Sequence, residues 1–250
     1  MGAALGIPAA AQAADFTVTN LNDAGPGSLR QAALDAVANP GHDRVVFASG
    51  LSGEIDLTSG EIVVNDTDVV GPGPGQITVK QTAALRVFHA TPVTGGSVSM
   101  SGLTVTGGNV TGKGGGIFVY NEDLNLTNMV VTGNKASTKG GGVALYQGGA
   151  NVKDTTVTGN QATAGSGMFF YGGLSMTNTA NDGGGWHVTN TVVSGNTTTT
   201  SRGGAIKFYR AIHPLDVIDT TVSGNTGGRS GGGITFYKTA VTNIVDSTHH

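Results

Sequence analysis

The sequence predicts an all-β solenoid, a parallel β-helix with three short strands per coil, and three observations carry that expectation. First, a glycine-led segment returns five times: GGGIFVY at 114–120, GGGVALY at 140–146, GSGMFFY at 165–171, GGAIKFY at 203–209 and GGGITFY at 231–237. Second, a companion segment follows each of the first four: LNLTNMVVTGN (124–134), ANVKDTTVTGN (150–160), WHVTNTVVSGN (186–196) and LDVIDTTVSGN (215–225). Third, the terminal asparagines Asn134, Asn160, Asn196 and Asn225 lie 26, 36 and 29 residues apart. Periods of this size mark solenoids, propellers or arrays, and the four-strand signature of a propeller blade is missing.

From the N-terminus, residues 1–14 read as the remnant of an export signal, or as a loose Ala-rich start. They are small and apolar and carry an A-x-A-like site at Ala11-Gln12-Ala13. Residues 28–38 are the one helical segment. Ser28 is its N-cap, Gln31 completes a capping box, and Leu29, Ala32, Ala33, Leu34 and Val37 form its apolar stripe, with Leu29, Leu34 and Val37 expected to hold it on the coil. Asn39-Pro40-Gly41 ends it. A lone amphipathic helix ahead of a solenoid is expected to cover the first coil, whose apolar floor and strand edges are otherwise exposed.

Irregular coils follow in RVVF, GEIDL, GEIVV, DVVGPGPGQITV and LRVF, with GPGPG (71–75) as a turn. In the regular repeats one strand follows the glycines, with Ile117 and Val119 turned inward. A second runs through Leu124 and Leu126. A third carries Val131, Val157, Val193 or Val222 and ends at Gly-Asn. Alternation over four or five residues suits half-buried strands and leaves no room for helices. Only Asn128, Asp154, Asn190 or Asp219 separates the second strand from the third, and these residues tolerate a left-handed bend. One β-helix domain of about eight coils is expected over 15–248. Its last coil stops short of the VSGN continuation, so truncation is expected there, with an uncapped end open to end-to-end self-association.

Composition narrows the function. Only 12% of residues are charged and the net charge is −3, which gives no electrostatic case for nucleic acid. The 43 glycines lack the three-residue period of collagen. There are no cysteines, which removes disulfides and thiolate metal sites. His187 and His213 show no metal-ligand spacing, so no metal and no cofactor is predicted. No apolar run reaches the ~20 residues of a membrane span.

TVTNLNDAGPGSLRQAALDAVANPGHDRVVF, GPGPGQITV and the LTVTGGN…GGGI coils together resemble bacterial exported right-handed β-helix proteins. They are similar to the pectate-lyase-like superfamily, in the branch whose coils look like polymorphic outer-membrane-protein repeats. The resemblance covers about residues 15–248 and implies a right-handed solenoid and a secreted or cell-surface location. It says little about activity, because the architecture serves lyases, hydrolases, adhesins and stalks alike. Catalytic members place carboxylates and a basic residue on the outer face of one strand. The equivalent outward positions Phe118, Ala144, Phe169, Lys207 and Thr235 contain no acid, and Glu122 and Asp123 lie together in one turn that reads as a solvated loop.

The chain's five tyrosines, Tyr120, Tyr146, Tyr171, Tyr209 and Tyr237, each close a glycine-led segment. They are expected to form one exterior column, either a structural ladder or a strip on which sugar rings stack. The 172–185 turn is ten residues longer than its counterparts, and Arg202, Lys207, Arg210, Arg229 and Lys238 lie in the coils beyond it. Cations here suit uronate carboxylates. Trp186 aligns with Leu124 and Leu215 and reads as core. The expectation is a polysaccharide-binding or adhesin-like scaffold through Phe118, Phe169, Lys207, Arg210 and the tyrosines, with no identifiable catalytic centre. A polysaccharide lyase or glycoside hydrolase is the alternative.

Overall fold

The computed structural model describes residues 13–93, 95–172, 185–200, 203–211, 214–227, 232–239, 243–245 and 248–249. The chain forms a right-handed parallel β-helix of about eight turns. Its strands stack into three long sheets and one short one. A wide sheet of nine strands runs from Asp15–Val18 to Asn243–Val245. A glycine-led sheet of seven runs from Ile62–Val63 to Ile234–Tyr237. A valine sheet of eight runs from Gly53–Leu57 to Thr248–His249.

The fourth sheet, of four two-residue strands from Asn109–Val110 to Thr197–Thr198, amends the expected three strands per coil. It occupies the stretch between the terminal Asn and the next glycine cluster, too short for any period to show in the sequence. Its inward residues Val110, Ala136 and Ala162 form a small apolar cluster of their own.

Repeat residues sit in register. Val131, Val157, Val193 and Val222 are fully buried in one ladder, and Asn128, Asp154, Asn190 and Asp219 take left-handed φ of 53°, 52°, 46° and 50° at the bend before it. The terminal asparagines turn inward. Asn134 Nδ2 donates to Asn160 Oδ1 at 3.1 Å, Asn160 to Asn196 at 3.0 Å and Asn196 to Asn225 at 2.9 Å. The glycine cluster faces this ladder: a Cβ on Gly142 would lie 2.7 Å from the Gly167 carbonyl oxygen and 3.1 Å from Asn160 Nδ2. Glycine therefore lets the turn close on the next coil. Trp186 is core, as its alignment implied, with Nε1 donating to the Gly148 carbonyl at 2.9 Å and its ring beside the internal stack of Phe170, Phe208 and Phe236.

The helix Leu29–Ala38 packs on the strands Asp15–Val18, Asp43–Phe47 and Ile62–Val63, covering the first coil. Ser28 Oγ accepts from the Gln31 amide, but the Gln31 side chain donates to Asp35 at 2.8 Å instead of returning to Ser28. Leu34 and Val37 are 50% and 37% exposed; Leu29, Ala32, Ala33 and Ala36 make the buried face. The apolar arc is therefore narrower and rotated toward the alanines, because small side chains let the helix settle close to the coil. Arg30 pins it laterally, donating to Asp23 and to the Gly60 and Glu61 carbonyls at 2.7–2.8 Å. Among the described residues, no helix is long and apolar enough to cross a membrane.

Candidate functional site

The outer face of the glycine-led sheet carries two adjacent columns. Alternation puts Val63, His89, Phe118, Ala144, Phe169, Lys207 and Thr235 in one register. The tyrosines stand two positions on, in register from Tyr120 to Tyr237. Four of them stack. Ring centroids lie 5.1 Å apart from Tyr146 to Tyr171, 5.5 Å from Tyr171 to Tyr209 and 4.7 Å from Tyr209 to Tyr237, with interplanar angles of 25°, 18° and 13°. Tyr120 has no ring partner among the described residues and is 38% exposed; Tyr237, at the other end, is 45% exposed.

These distances match the spacing between strands, so each ring lies face to face with its copy one coil away. Solvent meets ring edges, not a row of open faces. Three of the residues expected on the surface are not there: Ala144 and Phe169 are fully buried and Tyr146 is 8% exposed, in a second apolar cluster with Ala164. The small Ala144 leaves space beside Tyr146, and Tyr146 packs against both Phe118 and Phe169. Burial, and then neighbouring Tyr171, raises the Tyr146 phenol above its ordinary pKa, and its buried hydroxyl has no hydrogen-bond partner among the described residues.

Cations close over these rings. Lys113 Nζ lies 4.3 Å from the Tyr146 centroid and Lys139 Nζ 4.9 Å from that of Phe169. Neither lysine was singled out by the repeat pattern, although the signal exists: a basic residue immediately precedes the glycine cluster at 113, 139 and 202. At the far end Arg210 sits 5.6 Å from the Tyr209 centroid and 3.4 Å from the Tyr171 hydroxyl, and Lys238 sits 5.7 Å from the Tyr237 centroid. Arg210 and Lys238 hold left-handed φ of 60° and 53°, at a corner where Asn121 takes 59°. Lys207 lies half-buried in register between Phe169 and Thr235. Arg202, Arg229, His213 and the interior of the long 172–185 turn lie outside the described residues.

The column itself holds no acid, but one stands beside its N-terminal end. His89 Nδ1 and Arg86 Nη1 each lie 2.9 Å from a different Glu61 oxygen, and Arg86 lies 5.2 Å from the Phe118 centroid. Burial alone would raise the Glu61 carboxyl, but bonds and charge from His89 and Arg86 hold it below its ordinary pKa. Aligning GEIVV with LRVFHA would have found this cluster. His187, which showed no metal-ligand spacing, pairs with Asp216 at 2.9 Å on the wide sheet.

Glu122 and Asp123 are buried, not a solvated loop. Asp123 Oδ1 accepts from the Gly149 amide at 2.6 Å, and Glu122 Oε2 from the Asp66 amide at 2.9 Å, while Glu122 Oε1 has no hydrogen-bond partner among the described residues. Burial, with a smaller push from the Asp66 charge, raises the Glu122 pKa to about 7. His42 bridges Asp66 and Asp68 beside it, both at 2.9 Å. Among the described residues no group of three His, Asp or Glu side chains is arranged to hold a metal ion. No family model matches the chain, and no curated protein matches it either.

Proposed function

We propose that this protein is an exported or cell-surface β-helix of the pectate-lyase-like kind, which holds an extended extracellular polysaccharide along the tyrosine column. One observation carries the reading. Lys113, Lys139, Arg210 and Lys238 line the column, and none has a carboxylate at ion-pair distance among the described residues. In the first coils, by contrast, Arg30, Arg44, Lys80 and Arg86 are each paired with an acid. The partly exposed Tyr171, Tyr209 and Tyr237, with these cations beside the column, offer repeated edge and charge contacts at the coil spacing. The stacked rings supply the rigidity; the edges and ammonium groups supply the contact. The A-x-A-like site at 11–13 supports export.

A second reading, cleavage of the chain, draws on Glu61, Arg86 and His89 at the N-terminal end of the same column. There the carboxylate is already committed to two partners, which favours binding over acid–base work.

Arg210→Asn tests the proposal. Asparagine tolerates the left-handed backbone better than arginine, so this variant should match or exceed wild-type stability by about 0.5–1 kcal/mol. On a glycan array it should nevertheless lose signal. Tyr209→Ala should lower both binding and stability, because its ring is part of the stack. Unchanged glycan binding in Arg210→Asn, or no glycan bound by the wild type, overturns the reading. Release of reducing ends or unsaturated products from a bound glycan would replace it with the enzymatic one.

A further inference from the structure

We propose that Lys113 and Lys139 together form a subsite for one anionic substituent of the glycan, a carboxylate or a sulfate ester, so that the column selects acidic over neutral chains. The inference rests on the polysaccharide reading above and names the substrate class. The two residues are bridge partners in adjacent coils, so their backbones are held one strand spacing apart. Each side chain leans onto a ring of the following coil, Lys113 onto Tyr146 and Lys139 onto Phe169. Tyr146 and Phe169 are themselves in contact, with ring centroids 5.6 Å apart, so the two ammonium groups lie over neighbouring rings, and both residues are half-buried.

Two like charges held in register repel, the more so where the aromatic surface displaces water. Burial, and then the Lys113 charge, lower the Lys139 pKa below its ordinary value. No described carboxylate relieves the pair. Coverage of the rings does not explain this arrangement by itself. A neutral side chain shields a ring without the repulsion, and Ala164 occupies the same register in the next coil with no charge. An anion lying across both ammonium groups turns the repulsion into two charge-assisted contacts.

The test compares polygalacturonate with its carboxyl-reduced form, and dextran sulfate with dextran, by affinity electrophoresis and calorimetry at low and moderate salt. Wild-type protein should bind at least one charged polymer about tenfold or more tightly than its neutral counterpart, with the preference shrinking as salt rises. The two charged arms distinguish carboxylate from sulfate as the natural group. Lys113→Gln with Lys139→Gln should abolish the preference at an unchanged melting temperature, and Lys139→Arg should keep it. A preference that survives the double substitution overturns the subsite.

A separate titration with sodium sulfate, followed on the lysine side-chain NMR signals, keeps the two proposals apart. Neutral and acidic glycans bound equally, with no sulfate response at Lys113 or Lys139, overturns the subsite and leaves the polysaccharide reading standing. A sulfate response with no glycan bound at all overturns both the reading and the glycan subsite, and leaves a small-anion site.

Discussion

Asn160 shows how much a single side chain does in this fold. Its Oδ1 accepts from both the Asn134 amide and the Asn134 side chain, and its Nδ2 donates to the Val131 carbonyl and to Asn196. Asn160→Ala strands several buried polar groups at once and should cost about 3 kcal/mol, read from chemical denaturation. A cost near that of a surface substitution would mean water enters the bend. Glu122 makes a prediction of opposite character. Its folded pKa of about 7 lies above the ordinary 4.5, so its contribution is most favourable below the ordinary value and is lost as pH rises toward neutrality. His42 acts in the same direction. Burial alone would lower its pKa, but bonds to Asp66 and Asp68 raise it, and that stabilisation fades as pH rises through the folded value. Asp23 and Glu61 oppose them. Hydrogen bonds to Asp23 outweigh its burial, both carboxyls titrate below their ordinary values, and their stabilisation is lost on acidification. The melting temperature should therefore peak at about pH 5–6 and decline toward about pH 8. Glu122→Gln should flatten that decline, recovering on the order of 2 kcal/mol at the alkaline end. An unchanged slope would assign the decline to other groups.

At the scale of the element, the capping helix divides sharply into a face that matters and one that does not. Leu29→Ala empties a buried site between helix and first coil and should cost about 2–4 kcal/mol. Leu34→Ser changes an exposed position and should stay within about 0.5 kcal/mol. Equal costs, measured by thermal unfolding, would place Leu34 against the coil after all. Removing residues 15–41 deletes the first strand of the wide sheet with its cap and exposes the edge of the next, Asp43–Phe47, which pairs with Asp15–Val18 in the intact chain. Light scattering on that deletion should show aggregates.

Across the whole molecule, each coil touches only its neighbours above and below, so protection should vary with position along the axis. Amides of the central coils, around Val131 and Val157, should exchange slowest with deuterium. Those of Asn243–Val245, whose three residues are all exposed, should exchange fastest. Uniform protection from first coil to last would instead mean that the solenoid opens as one cooperative unit. The same linear build gives the candidate site its form: one tyrosine per coil, with a cation beside several of them, repeating at the strand spacing.

Most of what repeats from coil to coil was legible in the sequence, the two-residue strands of the fourth sheet excepted, because in a solenoid sequence period and spatial stacking are the same thing. The asparagine ladder, the left-handed bends, the buried valines, the core placement of Trp186 and the tyrosine column all follow from aligning the repeats. The cap was legible as a helix, though not its buried face, since Leu34 and Val37 outrank alanine in hydrophobicity while the coil below admits only close-packing residues. What depends on contacts between unequal positions was decided by the tertiary structure alone. Tyr146 is buried because the small Ala144 leaves room for its ring to pack against Phe118 and Phe169, and Glu122 is buried because its side chain reaches back to the Asp66 amide, two coils earlier in the wide sheet. The tilt of Lys113 and Lys139 onto the rings of the next coil is likewise a matter of side-chain direction. Periodicity fixes which residues share a register; it leaves open what covers them, because covering depends on the size and charge of neighbours that do not repeat.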